Sequence, residues 1–95
     1  MEDQRRVALV TGSATGVGAA TCLQLAENGW NVVINYSKSA AEAEATAQRC
    51  RELGAEALVC QANVADDTAC REMVAKTIEQ WGRIDALVNN AGTTK

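Results

Sequence analysis

The sequence predicts an α/β fold built on a doubly wound parallel sheet, and three observations carry that expectation. The apolar pattern switches repeatedly between short strand-like runs and segments of helical spacing, and a glycine follows each helical segment. The first run also ends in a glycine-rich turn, VTGSATGVG, from Val10 to Gly18. A β-α-β-α-β-α-β order calls for parallel strands joined by right-handed crossovers, with helices on both faces.

The strand-like runs are RVALVT (Arg6 to Thr11), NVVINY (Asn31 to Tyr36), EALVCQ (Glu56 to Gln61) and RIDALVNN (Arg83 to Asn90). Each is rich in β-branched residues and reads as buried on both faces. The helical segments run from Gly16 to Asn28, from Ser39 to Leu53 and from Asp67 to Trp81, closed by Gly29, Gly54 and Gly82. In the second helix Ala40, Ala43, Ala47 and Cys50 form a face of small residues that lets the helix lie close on a sheet. The same period makes SAAEAEATA a packed helix rather than a low-complexity stretch. In the third helix Cys70, Val74, Ile78 and Trp81 are the expected buried face, Trp81 as a core anchor, with Asp66 or Asp67 as the N-cap.

One domain over residues 1–95 is the expected organisation, since the chain has no proline and no linker-like stretch. No run reaches the roughly 18 apolar residues of a membrane span, and the N-terminus lacks a secretory apolar core, so a cytoplasmic protein is expected. The four cysteines form no CxxC pair and histidine is absent, which argues against a metal site and favours reduced cysteines acting as small hydrophobes. A net charge of −3 with no basic run, and only three aromatic residues, argue against a nucleic-acid partner. The fourth strand leaves an apolar edge that needs a cover, from further chain or from a second copy in a homo-oligomer.

A structural turn needs one or two glycines, whereas Gly12, Gly16 and Gly18 fall within seven residues. Ligands of open parallel sheets bind outside the carboxyl ends of the strands, where this turn lies. A helix opening at Gly16 presents unpaired N–H groups and the positive end of its dipole, which suits a phosphate. Side chains at Gly12, Gly16 and Gly18 would obstruct the turn, the approach of a pyrophosphate and the packing of helix on strand, respectively. Ser13 and Thr15 add hydroxyl donors. No Lys-Ser or Lys-Thr follows the last glycine, so a nucleoside triphosphatase loop does not fit.

TGSATGVG in the first turn, the second-strand end, the Asn63–Val64 pair and NNAG at Asn89 to Gly92 together resemble the short-chain dehydrogenase/reductase family. The resemblance spans essentially the whole chain and is nearest to members of the 3-oxoacyl-acyl-carrier-protein reductase type. It implies a Rossmann-type sheet, of which this chain carries the N-terminal β-α-β-α-β-α-β part, and a nicotinamide dinucleotide as cofactor. Gly12, Ser13, Thr15, Gly16, Val17 and Gly18 would then meet the pyrophosphate, Asn63 and Val64 the adenine, and Asn90, Ala91 and Gly92 the ribose. Many relatives have Asp where this chain has Asn63, and either side chain can hydrogen-bond adenine. NNAG also reads as a turn that only ties the sheet together, and the two roles can coexist.

NADP rather than NAD is expected from NYSKS. An acid at the end of the second strand would accept bonds from the ribose 2′-hydroxyl and repel a 2′-phosphate. Here Tyr36 stands in that place, Ser37 can donate and Lys38 brings a positive charge; Lys38 also reads as a solvated loop lysine. Thr15 departs from the basic residue many NADP-preferring relatives carry there. The family's catalytic set is a Ser, and a Tyr with a Lys four residues later. The only tyrosine here is Tyr36, and Ala40 stands four residues on, so no catalytic residue is assigned. The expected function is the cofactor-binding half of an oxidoreductase acting on a small carbonyl or alcohol. The alternative is a nucleotide-binding or self-assembling module without catalysis.

Overall fold

The computed structural model describes residues 5–90. Its elements are β1 (Val7–Val10), α1 (Gly16–Glu27), β2 (Asn31–Tyr36), α2 (Ala40–Glu52), β3 (Ala57–Gln61), α3 (Asp67–Trp81) and β4 (Ala86–Val88). The strands form one parallel sheet in the order β3-β2-β1-β4. Val10 is registered with Ile34 on one side and Val88 on the other, so β1 and β4 finish level and β2 runs two residues further, to Tyr36.

Strand side chains alternate between two cores because successive residues point to opposite faces. Ala8, Val10, Val32 and Ile34 pack with Cys22 and Ala26 of α1 and Ala43, Ala47 and Cys50 of α2. Leu9 and Val33 pack on the other face with Cys60, Ala62 and Met73, the last from α3. Only β1 and β2 are buried on both faces; β3 and β4 are the sheet edges, and Leu87 is 63% exposed. The expectation of four doubly buried strands is thus corrected to two. At the start of β4, Asp85 Oδ2 accepts from the Val7 N–H at 2.8 Å, and its carboxylate pairs with Arg83 at 2.7 Å. The Arg83 hydrogen bond and then the Val7 N–H hold the Asp85 carboxyl below the usual carboxylate range.

Two helix faces differ from expectation. On α2 the buried residues are Ala43, Thr46, Ala47 and Cys50, while Ala40 is exposed on the first turn. On α3 the stripe toward the sheet is Ala69, Met73, Thr77 and Trp81, at a spacing of four, and Val74 and Ile78 are 41% and 44% exposed. Thr77 can face inward because its hydroxyl donates to the Met73 carbonyl at 2.8 Å, leaving the methyl group for the core. Trp81 is half-buried there, and its Nε1 donates to Glu56 Oε1 at 2.6 Å. Asp66 is the N-cap of α3, its Oδ1 accepting from Thr68 and Ala69 N–H at 3.0 and 3.3 Å. Among the described residues no helix is long and apolar enough to cross a membrane.

Cys22, Cys50 and Cys60 are buried, and Cys70 is partly exposed. Burial pushes the Cys22 thiol up to about 12 and raises those of Cys50 and Cys60. Since the thiolate is the reactive form, a chromogenic disulfide reagent at mildly alkaline pH is expected to label Cys70 alone in the native protein. All four cysteines should react after denaturation. Prompt native labelling of a second cysteine would contradict this packing.

Candidate dinucleotide site

The chain leaves β1 toward β2 on one side and returns to β4 on the other, which opens a crevice at the carboxyl ends of these strands. The loop from Thr11 to Thr15 lies there and leads into α1. Thr15 is the N-cap, with extended backbone (φ −141°) and no side-chain cap bond, and the first turn carries no acidic residue. The opening N–H groups of α1 therefore have no side-chain acceptor, in contrast to the capped start of α3. Orphan donors and the positive end of the dipole together make such a helix end a receptor for an anion.

Space as well as charge is provided. Gly16 has a φ of +65°, and a Cβ built on it meets nothing within 4 Å. Thr15, Gly16 and Val17 are exposed, Val17 by 73%. A phosphate can thus approach the backbone along the α1 opening, and the residues present fit the pyrophosphate of a dinucleotide.

Behind the loop every contact is structural. The Gly12 N–H donates to Asn35 Oδ1 at 2.8 Å, and the Ser13 N–H to the Asn35 carbonyl at 2.9 Å. Ser13 is fully buried; its Oγ donates to the Val10 carbonyl at 2.7 Å and accepts from the Asn35 N–H at 2.9 Å. Its hydroxyl faces inward, so Ser13 holds the loop from the rear, unlike exposed Thr15. Thr46 of α2 donates to the Ala14 carbonyl at 2.8 Å. From the β4 side, Asn90 Nδ2 donates to the Gly12 carbonyl at 3.1 Å and the Asn90 N–H to Thr11 Oγ1 at 2.9 Å. Gly18 is buried against this assembly, and a Cβ there would lie 2.4 Å from the Gly12 carbonyl oxygen. The glycine therefore admits the loop and Asn90, rather than serving helix-on-strand packing alone.

Tyr36, Ser37 and Lys38 share a cleft of about 290 Å³ with Gly12 and Thr15. The structure thus brings NYSKS and the glycine-rich loop together. Tyr36 is half-buried, and Ser37 and Lys38 are exposed at its rim. Val64 lines a different, smaller cleft of about 190 Å³, with Thr11 and Asn89. Asn63 lines neither; its Oδ1 accepts from the Ala65 N–H at 2.9 Å, so its amide group is what it can offer a ligand. Ala91 and Gly92 lie outside the described residues. The residues that sequence reasoning passed over are Asn35, Thr46 and Thr11. The one available signal for Asn35 was a carboxamide inside a strand otherwise expected to be buried, where it has to find partners.

Comparison with known proteins agrees with this geometry. The chain is 47% identical over 88 residues to the 3-oxoacyl-[acyl-carrier-protein] reductase FabG of Staphylococcus epidermidis, covering 93% of this chain and 36% of that protein. It therefore spans about a third of that relative's length. Among solved structures, a protein from Burkholderia xenovorans described as a short-chain dehydrogenase/reductase superposes with a TM-score of 0.91 at 41% identity, over 99% of this chain and 39% of the other. A Burkholderia cenocepacia protein described as a dehydrogenase with bound NADP gives a TM-score of 0.84 at 33% identity, over 90% of this chain and 33% of the other. The family model for short chain dehydrogenase matches residues 6–95, and with the sheet order and glycine-rich loop in place this chain belongs to that family.

Proposed function

We propose that this chain carries the dinucleotide-binding part of an NADP(H)-dependent oxidoreductase acting on a small carbonyl or alcohol, with 3-oxoacyl thioesters as the nearest substrate class. The observation that carries this is the uncapped start of α1, with open space at Gly16, beside a cleft that also contains Tyr36, Ser37 and Lys38. Bound there, the dinucleotide supplies a hydride donor or acceptor. The chain's own residues bind and orient it. The N–H groups of Gly16, Val17 and Gly18 meet the pyrophosphate, with Gly12 and Thr15 shaping the approach. Ser37 and Lys38 contact the 2′-phosphate, and Asn63 and Val64 border the adenine. Asn90, Ala91 and Gly92 stand beside the ribose. The absence of an acid beside Tyr36 favours NADP over NAD, since a carboxylate there would repel the 2′-phosphate. A 3-oxoacyl substrate class is supported by FabG, and NADP by the dehydrogenase described with it. A cytoplasmic homo-oligomer is part of the same reading.

Calorimetric titration of the chain with NADP and with NAD tests this. NADP is expected to bind more tightly than NAD. Lys38→Glu should weaken NADP by roughly tenfold, the worth of about one charge-assisted hydrogen bond, and leave NAD unchanged. Saturable binding of neither would sink the proposal. An NADP affinity indifferent to Lys38→Glu would reduce Lys38 to a solvated loop lysine.

A further inference from the structure

Asn35 lies at the end of β2, 2% exposed, and every polar atom it has is paired. Its Oδ1 accepts from the Gly12 N–H at 2.8 Å, and its carbonyl from the Ser13 N–H at 2.9 Å. Its own N–H donates to Ser13 Oγ at 2.9 Å. On its other side Nδ2 donates to the Ala62 carbonyl at 3.1 Å, with the Cys60 carbonyl at 3.4 Å. One carboxamide therefore spans from the phosphate loop after β1 to the segment leaving β3, immediately before Asn63 and Val64. A leucine, branched at the same carbon, would keep the two main-chain bonds to Ser13 and make none of those of the carboxamide.

We propose that Asn35 is a positioning residue, which sets the phosphate loop at a fixed distance from the β3 end so that one dinucleotide can reach both. The inference rests on the proposed cofactor reading for what occupies the loop, but the positioning itself is a property of the chain. Two features support position over bulk stability. The Asn35 carboxamide bonds main-chain atoms just past the ends of two strands, the Gly12 N–H after β1 and the Ala62 carbonyl after β3. The loop's outer face, from Thr15 to Val17, is exposed, so its geometry depends on what holds it from behind. Preorganised donors bind an anion without ordering the loop at the moment of binding.

The test is amide hydrogen exchange on the 95-residue chain and on Asn35→Leu. The Gly12 and Ser13 amides, which are bonded to Asn35, are expected to exchange at least tenfold faster in the variant, while those of Leu9, Val33 and Ile34 keep their protection. A uniform acceleration across loop and core would overturn the proposal, because a merely structural residue moves every amide alike; so would unchanged loop exchange. Asn35→Ser, which keeps a small polar side chain and removes the span to Ala62, gives the same reading if the leucine variant does not fold. Adding NADP to the wild-type chain separates the two claims. Slowed exchange of the loop amides supports both. Its absence, with the local effect of Asn35→Leu intact, overturns the cofactor reading and leaves the positioning role standing.

Discussion

Gly18→Ala is expected to cost about 2 kcal/mol or more of folding stability, read as a lower urea midpoint at unchanged slope. On helix propensity alone the change should help, since alanine is favoured over glycine by about 1 kcal/mol inside a helix. Contact decides the sign. The new Cβ would lie 2.4 Å from the Gly12 carbonyl oxygen, 2.8 Å from Ser13 Cα and 2.9 Å from Asn90 Nδ2. The first two are backbone atoms of a loop already held by Asn35 and Thr46, so neither can swing aside as a flexible side chain would. Overpacking of this kind costs about 1–3 kcal/mol where the surroundings can relax, and more where they cannot. Displacing the loop also strains the Asn90 bond to the Gly12 carbonyl, the cross-link from the end of β4. Gly16→Ala is the matched comparison. Its Cβ meets nothing within 4 Å, so it carries only the cost of a left-handed backbone, about 1–2 kcal/mol. It puts a methyl group where the phosphate would approach. Equal stability of Gly18→Ala and the unaltered chain would contradict the packing around the loop.

The elements were legible where local chemistry alone decides. NVVINY coincides with β2 and Asp67 to Trp81 with α3, because a β-branched run and a capped helical period each have one economical backbone. Which face turns inward was legible only in part, since that depends on what the neighbouring element offers. Ser13 shows this at the site. Its place in a glycine-rich loop suggested a hydroxyl aimed at a ligand, yet the buried ends of β1 and β2 supply it with the Val10 carbonyl and the Asn35 N–H. Asn35 shows the converse. In a linear reading Asn35 is one polar residue inside a strand, and only the adjacency of β1, β2 and β3 reveals a residue with partners on both sides. The glycines of the loop were readable for the opposite reason: their role is to have no side chain, which no neighbour alters.

The third helix carries the clearest quantitative contrast between the linear pattern and the packed structure. Met73→Ala is expected to destabilise the chain by about 2–5 kcal/mol, the usual cost of removing a buried Met side chain and leaving a cavity. Met73 is 4% exposed and is the buried α3 residue in the core formed with Leu9, Val33, Cys60 and Ala62. A domain of this length has roughly 5–14 kcal/mol in all, so the loss is a large fraction of the total. Ile78→Ala removes a larger, branched hydrophobe from a position the linear pattern assigned to the core, yet it should change stability by less than about 1 kcal/mol. Ile78 is 44% exposed, so only part of its surface is recovered from water on folding. Alanine returns a few tenths of a kcal/mol in helix propensity, because it avoids the rotamer restriction of a β-branched side chain. Urea unfolding of the two variants side by side decides the matter. A large loss for Ile78→Ala with a small one for Met73→Ala would mean that α3 presents the Cys70–Val74–Ile78 face to the sheet after all. The expected order instead follows from Thr77, whose hydroxyl is satisfied by the helix's own backbone and whose methyl group can therefore occupy the core beside Met73.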